Sequence, residues 1–189
     1  MKQLNIGSGL CPGPTGWLNV DMNGLDSEIW VGWRQANPTV QCQIDIVADC
    51  RDLPLDDGTV DRMFFGHMLE HLSYDEGAPQ SLREAFRVLR VGGEIGVVGP
   101  AMDLALAMSV DDDLIRAIGD HSGGTGHFHD GDPGLAHCWE GTSENTLSLV
   151  LSVFSNAVIV PVTYFSYPTW PMTNAGMASW QVAIFASKQ

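Results

Sequence analysis

Eleven residues separate Ile6 from Leu18, and Pro12, Gly13 and Pro14 lie among them. The flanking runs, from Leu4 to Ile6 and from Trp17 to Val20, are short and apolar and read as strands. A parallel crossover needs about a dozen residues, and Pro14 bars a regular helix because it lacks the backbone donor and fixes its own φ. The chain must therefore return to its sheet with no helix, or a single turn of one. This excludes a dinucleotide fingerprint. Such a site needs a third glycine and a helix amino terminus to hold a pyrophosphate, and Gly7-Ser8-Gly9 is followed by neither.

Further along, apolar runs alternate with helical periodicity, which argues for α/β architecture around a largely parallel sheet. Ile44 to Ala48 and Val60 to Gly66 predict the third and fourth strands. Leu82, Ala85, Phe86 and Leu89 make one apolar stripe, predicting a helix from about Pro79 to Arg90. Gly92-Gly93 ends it, and Glu94 to Val98 supplies strand five. Leu147, Val150, Leu151 and Phe154 repeat the stripe over 143–154, with Thr142 or Ser143 as cap. Val158 to Thr163 and Ser179 to Ala186 read as an antiparallel edge pair. Asp103 to Gly119 reads as an interrupted helix, and Gly123 to Gly141 as a long loop. The expectation is one domain over 1–189.

Nine basic residues against 23 acidic ones leave a net charge of −14. Nucleic acid as the main substrate is not expected on this ground, since phosphate binding requires clustered cations. With 44% apolar and 17% charged residues the chain is globular. Prolines and a glycine interrupt its longest uncharged stretch, so no membrane span is expected. The amino terminus has no secretory signal, and Cys11, Cys42, Cys50 and Cys138 show no paired spacing, so a cytoplasmic location with free thiols is expected.

Three features fall at the carboxyl ends of successive strands, where open α/β sheets bind ligands. Gly7 and Gly9 let a ligand approach the backbone, or only make a tight turn. Asp21 can accept both hydroxyls of a ribose, or only form a turn. Asp49 can accept the exocyclic amine of an adenine, while the next backbone N–H meets a ring nitrogen.

In sequence, Leu4-Asn5-Ile6-Gly7-Ser8-Gly9 and Gly16-Trp17-Leu18-Asn19-Val20-Asp21 resemble the opening of small class I S-adenosylmethionine-dependent methyltransferases. Val47 to Asp61 is similar to their adenine-binding segment, His67 to Leu72 to the segment after strand four, and Leu89 to Glu94 to the turn into strand five. The resemblance is dense from residue 4 to about 100. It implies a Rossmann-like, mostly parallel seven-stranded sheet with helices on both faces and an antiparallel final strand pair. It also implies S-adenosylmethionine as cofactor, S-adenosylhomocysteine as product, and methyl transfer to a small-molecule acceptor. The implied cofactor residues are Gly7, Ser8, Gly9, Asp21, Asp49, Cys50, Arg51, Gly66 and His67. A non-catalytic S-adenosylmethionine-binding partner is the alternative.

If a general base is used, His67, His71 and His127 are its candidates. His121, His127, His129, His137 and Cys138 crowd one glycine-rich loop, yet their spacings match no zinc pattern, so no metal is expected. Trp30 and Trp33, then Tyr164, Phe165, Tyr167 and Trp170, read as aromatic segments outside the core strands, suited to a cover or a homodimer interface.

Overall fold

A computed structural model describes residues 1–9, 13–36, 43–107, 138–139, 141–166, 168–171 and 181–189. Its strands are β1 (Gln3–Ile6), β2 (Trp17–Asp21), β3 (Ile46–Val47), β4 (Val60–Gly66), β5 (Leu89–Pro100), β6 (Val158–Val160) and β7 (Gln181–Ser187). They form one sheet in the order β3-β2-β1-β4-β5-β7-β6. Neighbours from β3 to β5 run parallel, and β7 runs antiparallel to both β5 and β6. The helices are α1 (Glu28–Ala36), α2 (Gly77–Val88), α3 (Met102–Ala107) and α4 (Ser143–Leu151), with 3-10 turns at Leu69–His71 and Val162–Phe165. The seven-stranded, Rossmann-like sheet with an antiparallel end is as expected.

Alternation along the strands divides the side chains between two faces. On one face Leu4, Ile6, Met63, Phe65, Ile95 and Ile184 pack in one cluster with Leu82 and Ala85 of α2 and Leu149 and Val150 of α4. Each fully buried leucine here contributes about 1.5–3 kcal/mol. On the other face Phe64, Val98 and Ala183 meet Trp17, Phe165 and Trp170.

That second face also shows why β1 and β2 are joined without a long helix. Asn5 and Asn19 are buried there in place of apolar residues. Asn5 Nδ2 donates to Asn19 Oδ1 (3.1 Å), which also accepts the Gly13 N–H (2.8 Å), and Asn19 donates through its own N–H to Asp45 Oδ2 (2.7 Å). A polar ladder satisfied by the short connection needs no amphipathic helix laid over it. Among the described residues between β1 and β2 there is no helix.

The end of the central helix differs from expectation. Residues 77–88 are helical, but Leu89 is extended and Arg90 already belongs to β5. Leu89 is fully buried and satisfies either reading, so the apolar stripe ran on past the true end. Val60 pairs with Leu89 while Arg62 pairs with Glu94, so β5 bulges between them, through Gly92 at φ 73°. The carboxyl-terminal helix is capped by Thr142, whose Oγ1 accepts the Asn145 N–H at 3.1 Å. Strand β6 is shorter than expected, because 162–165 tightens into a 3-10 turn that brings Phe165 under the sheet.

Beyond β5 the chain leaves the sheet and comes back within one hydrogen bond. Met102 N–H donates to Gly141 O (2.9 Å), and Ser143 N–H to Asp103 Oδ1 (3.0 Å). Residues 108–137, which hold most of the expected interrupted helix and long loop, lie outside the described residues. No described helix is long and apolar enough to cross a membrane.

Candidate functional site

The carboxyl ends of β1, β2, β3 and β4 open on a cleft of about 240 Å³. Strand order reverses between β1 and β4, and that reversal leaves a crevice outside the strand ends. Gly7, Gly9, Asp21, Asp49, Cys50, Arg51, His67 and His71, all singled out from the sequence, line it together. Ser8 and Gly66 are not among its lining residues. Ser8 N–H donates to Val20 O (3.1 Å), latching the turn after β1 onto β2. His127 lies outside the described residues.

Gly7 and Gly9 adopt φ of 62° and 52°, the left-handed region that costs other residues about 1–2 kcal/mol. A side chain on Gly7 would also run into that of Met68. Glycine is therefore required at this position by the protein itself, before any ligand is considered. The turn is fastened from β2: Asp21 Oδ2 accepts the Gly9 N–H at 3.0 Å and Oδ1 accepts the Asn23 N–H at 2.9 Å. Asp21 is thus both a turn-former and a carboxylate at the cleft, with lone pairs left on each oxygen.

Asp49 follows β3 and is gripped by Arg51. Nε lies 2.9 Å from Oδ1, Nη2 lies 2.5 Å from Oδ2, and the Arg51 N–H donates to Oδ1 at 2.9 Å. Hydrogen bonding to the guanidinium holds the Asp49 carboxyl below its ordinary value, so it stays a charged acceptor. Between them Cys50 is 7% exposed, and burial followed by the Asp49 charge pushes its thiol up to about 12. A thiol so held is no nucleophile at neutral pH.

The loop behind this segment is clasped to α2. Arg87 donates to the carbonyls of Leu53 and Leu55 and to the carboxylates of Asp57 and Glu84, while Glu84 Oε1 accepts the Leu53 N–H (2.7 Å). Arg87 thereby fixes the loop that backs one wall of the cleft.

His67 follows β4 at φ 51°, the sole non-glycine residue with positive φ among the described residues. Its N–H donates to Val98 O (2.8 Å). Its Nδ1 lies 3.2 Å from Glu70 Oε1, and its Nε2 lies 2.5 Å from Gln181 Nε2. Glu70 is 2% exposed. Burial alone would raise its carboxyl, but the His67 imidazole beside it outweighs burial and brings it below its ordinary value. Cys138 and Trp139 return to the same turn: Cys138 N–H donates to Glu70 O (2.6 Å) and Trp139 Nε1 to Leu69 O (3.2 Å).

Several contributors were not read from the sequence. Trp30 lies on α1, not in a loop, and forms a cleft wall against Gly9. The signal available was Ser27-Glu28 ahead of the aromatic run, a helix start. Trp33 shares that helix. Met68 and Leu72 close the side nearest β4. Phe165 and Trp170, expected as cover, are buried in the second core cluster.

A second, more open cleft of about 660 Å³ lies beyond the ends of β5, β7 and β6. Ile159, Val160, Val162 and Val182 make its walls apolar, and Asp103 and Thr163 add polar groups. Gln181 lines it too, and therefore stands between the two clefts with His67 on its other side.

Residues 24–97 match the family described as "Methyltransferase domain". None of the curated protein sequences matches the chain. Among solved structures, a SAM-dependent methyltransferase from Methanosarcina mazei superposes with a TM-score of 0.57 at 16% identity, covering 99% of this chain and 92% of its own. A SAM-dependent methyltransferase from Thermotoga maritima gives 0.54 at 15% identity, covering 100% of this chain and 82% of the other. PigF, solved with SAH, gives 0.56 at 18% identity; this chain is covered fully but spans only 56% of PigF. Sheet order and these superpositions show a Rossmann-like methyltransferase fold, and residues 24–97 within it match a methyltransferase domain.

Proposed function

We propose that the protein transfers a methyl group from S-adenosylmethionine to a small-molecule acceptor in the cytoplasm. The observation that carries this is the joint lining of one cleft by Gly7, Gly9, Asp21 and Asp49, contributed by the ends of three strands, β1, β2 and β3, or the turns after them. The donor set fits the cofactor. Asp21 offers acceptor lone pairs for ribose hydroxyls, Asp49 a charged acceptor for an exocyclic amine, and the Gly7-Ser8-Gly9 backbone comes close on the methionine side. Cys50 and Arg51 flank the adenine end, and His67 the end nearest β4. The cofactor supplies a sulfonium-bound methyl: the acceptor's bond to carbon forms as the carbon–sulfur bond breaks, its electron pair staying on sulfur and a proton leaving the acceptor.

The protein's own part is mainly to hold both partners aligned and to exclude water. The apolar second cleft, adjoining the first through Gln181, is the place for the acceptor. Titration calorimetry with S-adenosylmethionine and S-adenosylhomocysteine tests the reading. Micromolar-range binding of both is expected. Heat with neither, but with NAD, would overturn it.

A further inference from the structure

The second cleft holds a single charge. Of its described lining residues only Asp103 is charged, and the walls around it, Ile159, Val160, Val162 and Val182, are apolar. The first cleft, by contrast, sets Arg51, His67 and His71 beside Asp21 and Asp49. We propose that the second cleft binds an apolar molecule bearing a cationic group, and that Asp103 is the specificity-determining residue that selects that charge. As a statement about the methyl acceptor this rests on the methyltransferase reading, whereas the preference for a cation does not.

Asp103 is held in place. It lies in the first turn of α3, and its Oδ1 accepts the N–H of Ser143 at the start of α4 (3.0 Å). That bond fixes the carboxylate at the cleft, while Oδ2 has no partner among the described residues and keeps its lone pairs. The same bond closes the position an anion would use. A helix amino end attracts negative charge through its unpaired N–H groups. At α4, however, Asp103 already accepts from Ser143, and Thr142 Oγ1 from Asn145 (3.1 Å). A carboxylate of the protein stands where a bound anion would stand.

The sequence agrees. From Val91 to Ser187 the only Lys or Arg is Arg116, whereas Glu94, Asp103 and Glu144 are joined by Asp111, Asp112 and Asp113. An anionic molecule entering this cleft would exchange water for apolar walls and a like charge, and a charge buried without a partner is costly. A cationic one lays its apolar body on valine and isoleucine and sets its charge at Asp103. A nitrogen that is cationic while paired with Asp103 has no lone pair to offer. The atom that receives the methyl is therefore a different one on the same molecule, so the acceptor carries two functional groups.

The test is a titration of methyl-labelled protein with hexylamine, hexan-1-ol and hexanoate, chains of like size that are positive, neutral and negative at about pH 8. Salt at about 0.15 M screens charges farther than about 8 Å away, so that Asp103 dominates over the distant acidic residues. Shifts of the Ile159, Val160, Val162 and Val182 methyls locate the ligand and give its affinity. Hexylamine should bind tightest and hexanoate weakest, the two differing by about fivefold or more. In Asp103→Asn, whose side-chain oxygen still accepts the Ser143 N–H, the three affinities should converge to within about twofold. Wild type alone carries the first of these comparisons. Hexanoate binding as tightly as hexylamine, a preference unchanged in folded Asp103→Asn, or no shift of these methyls with any of the three overturns the proposal. Thermal shift with S-adenosylhomocysteine on the same wild-type sample reads the methyltransferase hypothesis separately: its absence would sink that hypothesis and leave the cation preference standing.

Discussion

The two clefts lie along the same edge of one sheet and are built on opposite principles. On the β1–β2–β3 side the two carboxylates are already held in place by the protein: Asp21 accepts the Gly9 and Asn23 amides, and Asp49 the Arg51 amide and guanidinium. On the β5–β7–β6 side the walls are valine and isoleucine, with Ile159 52% exposed. A preorganised polar site spends little on ordering when a ligand arrives. An open apolar one sets few demands beyond size and shape. A constant cofactor suits the first and a variable acceptor the second.

The sharpest way to break the preorganised side is Gly7→Val. The positive φ and the collision with Met68 add, so the folded state should lose about 2–5 kcal/mol in urea unfolding, and cofactor binding should vanish. Unaltered stability would mean that the turn can re-form without glycine.

Next comes Asp21→Ala, which removes the acceptor of two backbone amides in a residue only 8% exposed. Stability and affinity for S-adenosylhomocysteine should each fall by about 1–3 kcal/mol. A loss of stability with affinity unchanged would make Asp21 purely a turn-former.

Ile159→Asp probes the opposite side. On a half-exposed wall it should change stability by no more than about 0.5 kcal/mol, and cofactor affinity by less than about twofold if the clefts are energetically separate. A tenfold change would dissolve the distinction between them.

The smallest effect belongs to Asp49. Its folded carboxyl lies below the ordinary value, so the pairing with Arg51 contributes fully above that value and is lost as pH falls through the lowered one. Side-chain exposures of 36% and 40% leave it screened, worth less than about 0.5 kcal/mol. Acid unfolding midpoints of wild type and Asp49→Asn should therefore nearly coincide, whereas their affinities for the cofactor at neutral pH should not.

What could be read from the chain in advance was local. A short apolar run followed by glycine or aspartate marks a strand end, so Gly7, Gly9, Asp21 and Asp49 were visible, and the structure brings them to one cleft. The end of α2 was obscured because Leu89 is buried whether the backbone coils or extends. Helix α1 was hidden because glycine and β-branched residues blur the stripe in Glu28-Ile29-Trp30-Val31-Gly32-Trp33. Gln181 beside His67 was beyond reach, since a contact across 114 positions leaves no periodicity to follow.

The hydrogen bond between Met102 and Gly141 makes a neck, and a neck turns what lies past it into an exchangeable cassette. Because the two ends already touch, the sheet is indifferent to the length of chain strung between them. Each doubling or halving of that chain shifts the closure entropy by only about 0.6 kcal/mol. An engineer can graft a longer or shorter segment at the same two residues without redesigning the strands below. The pin at Cys138 and Trp139 would have to be carried along, since it is what ties any newcomer to the turn that holds His67.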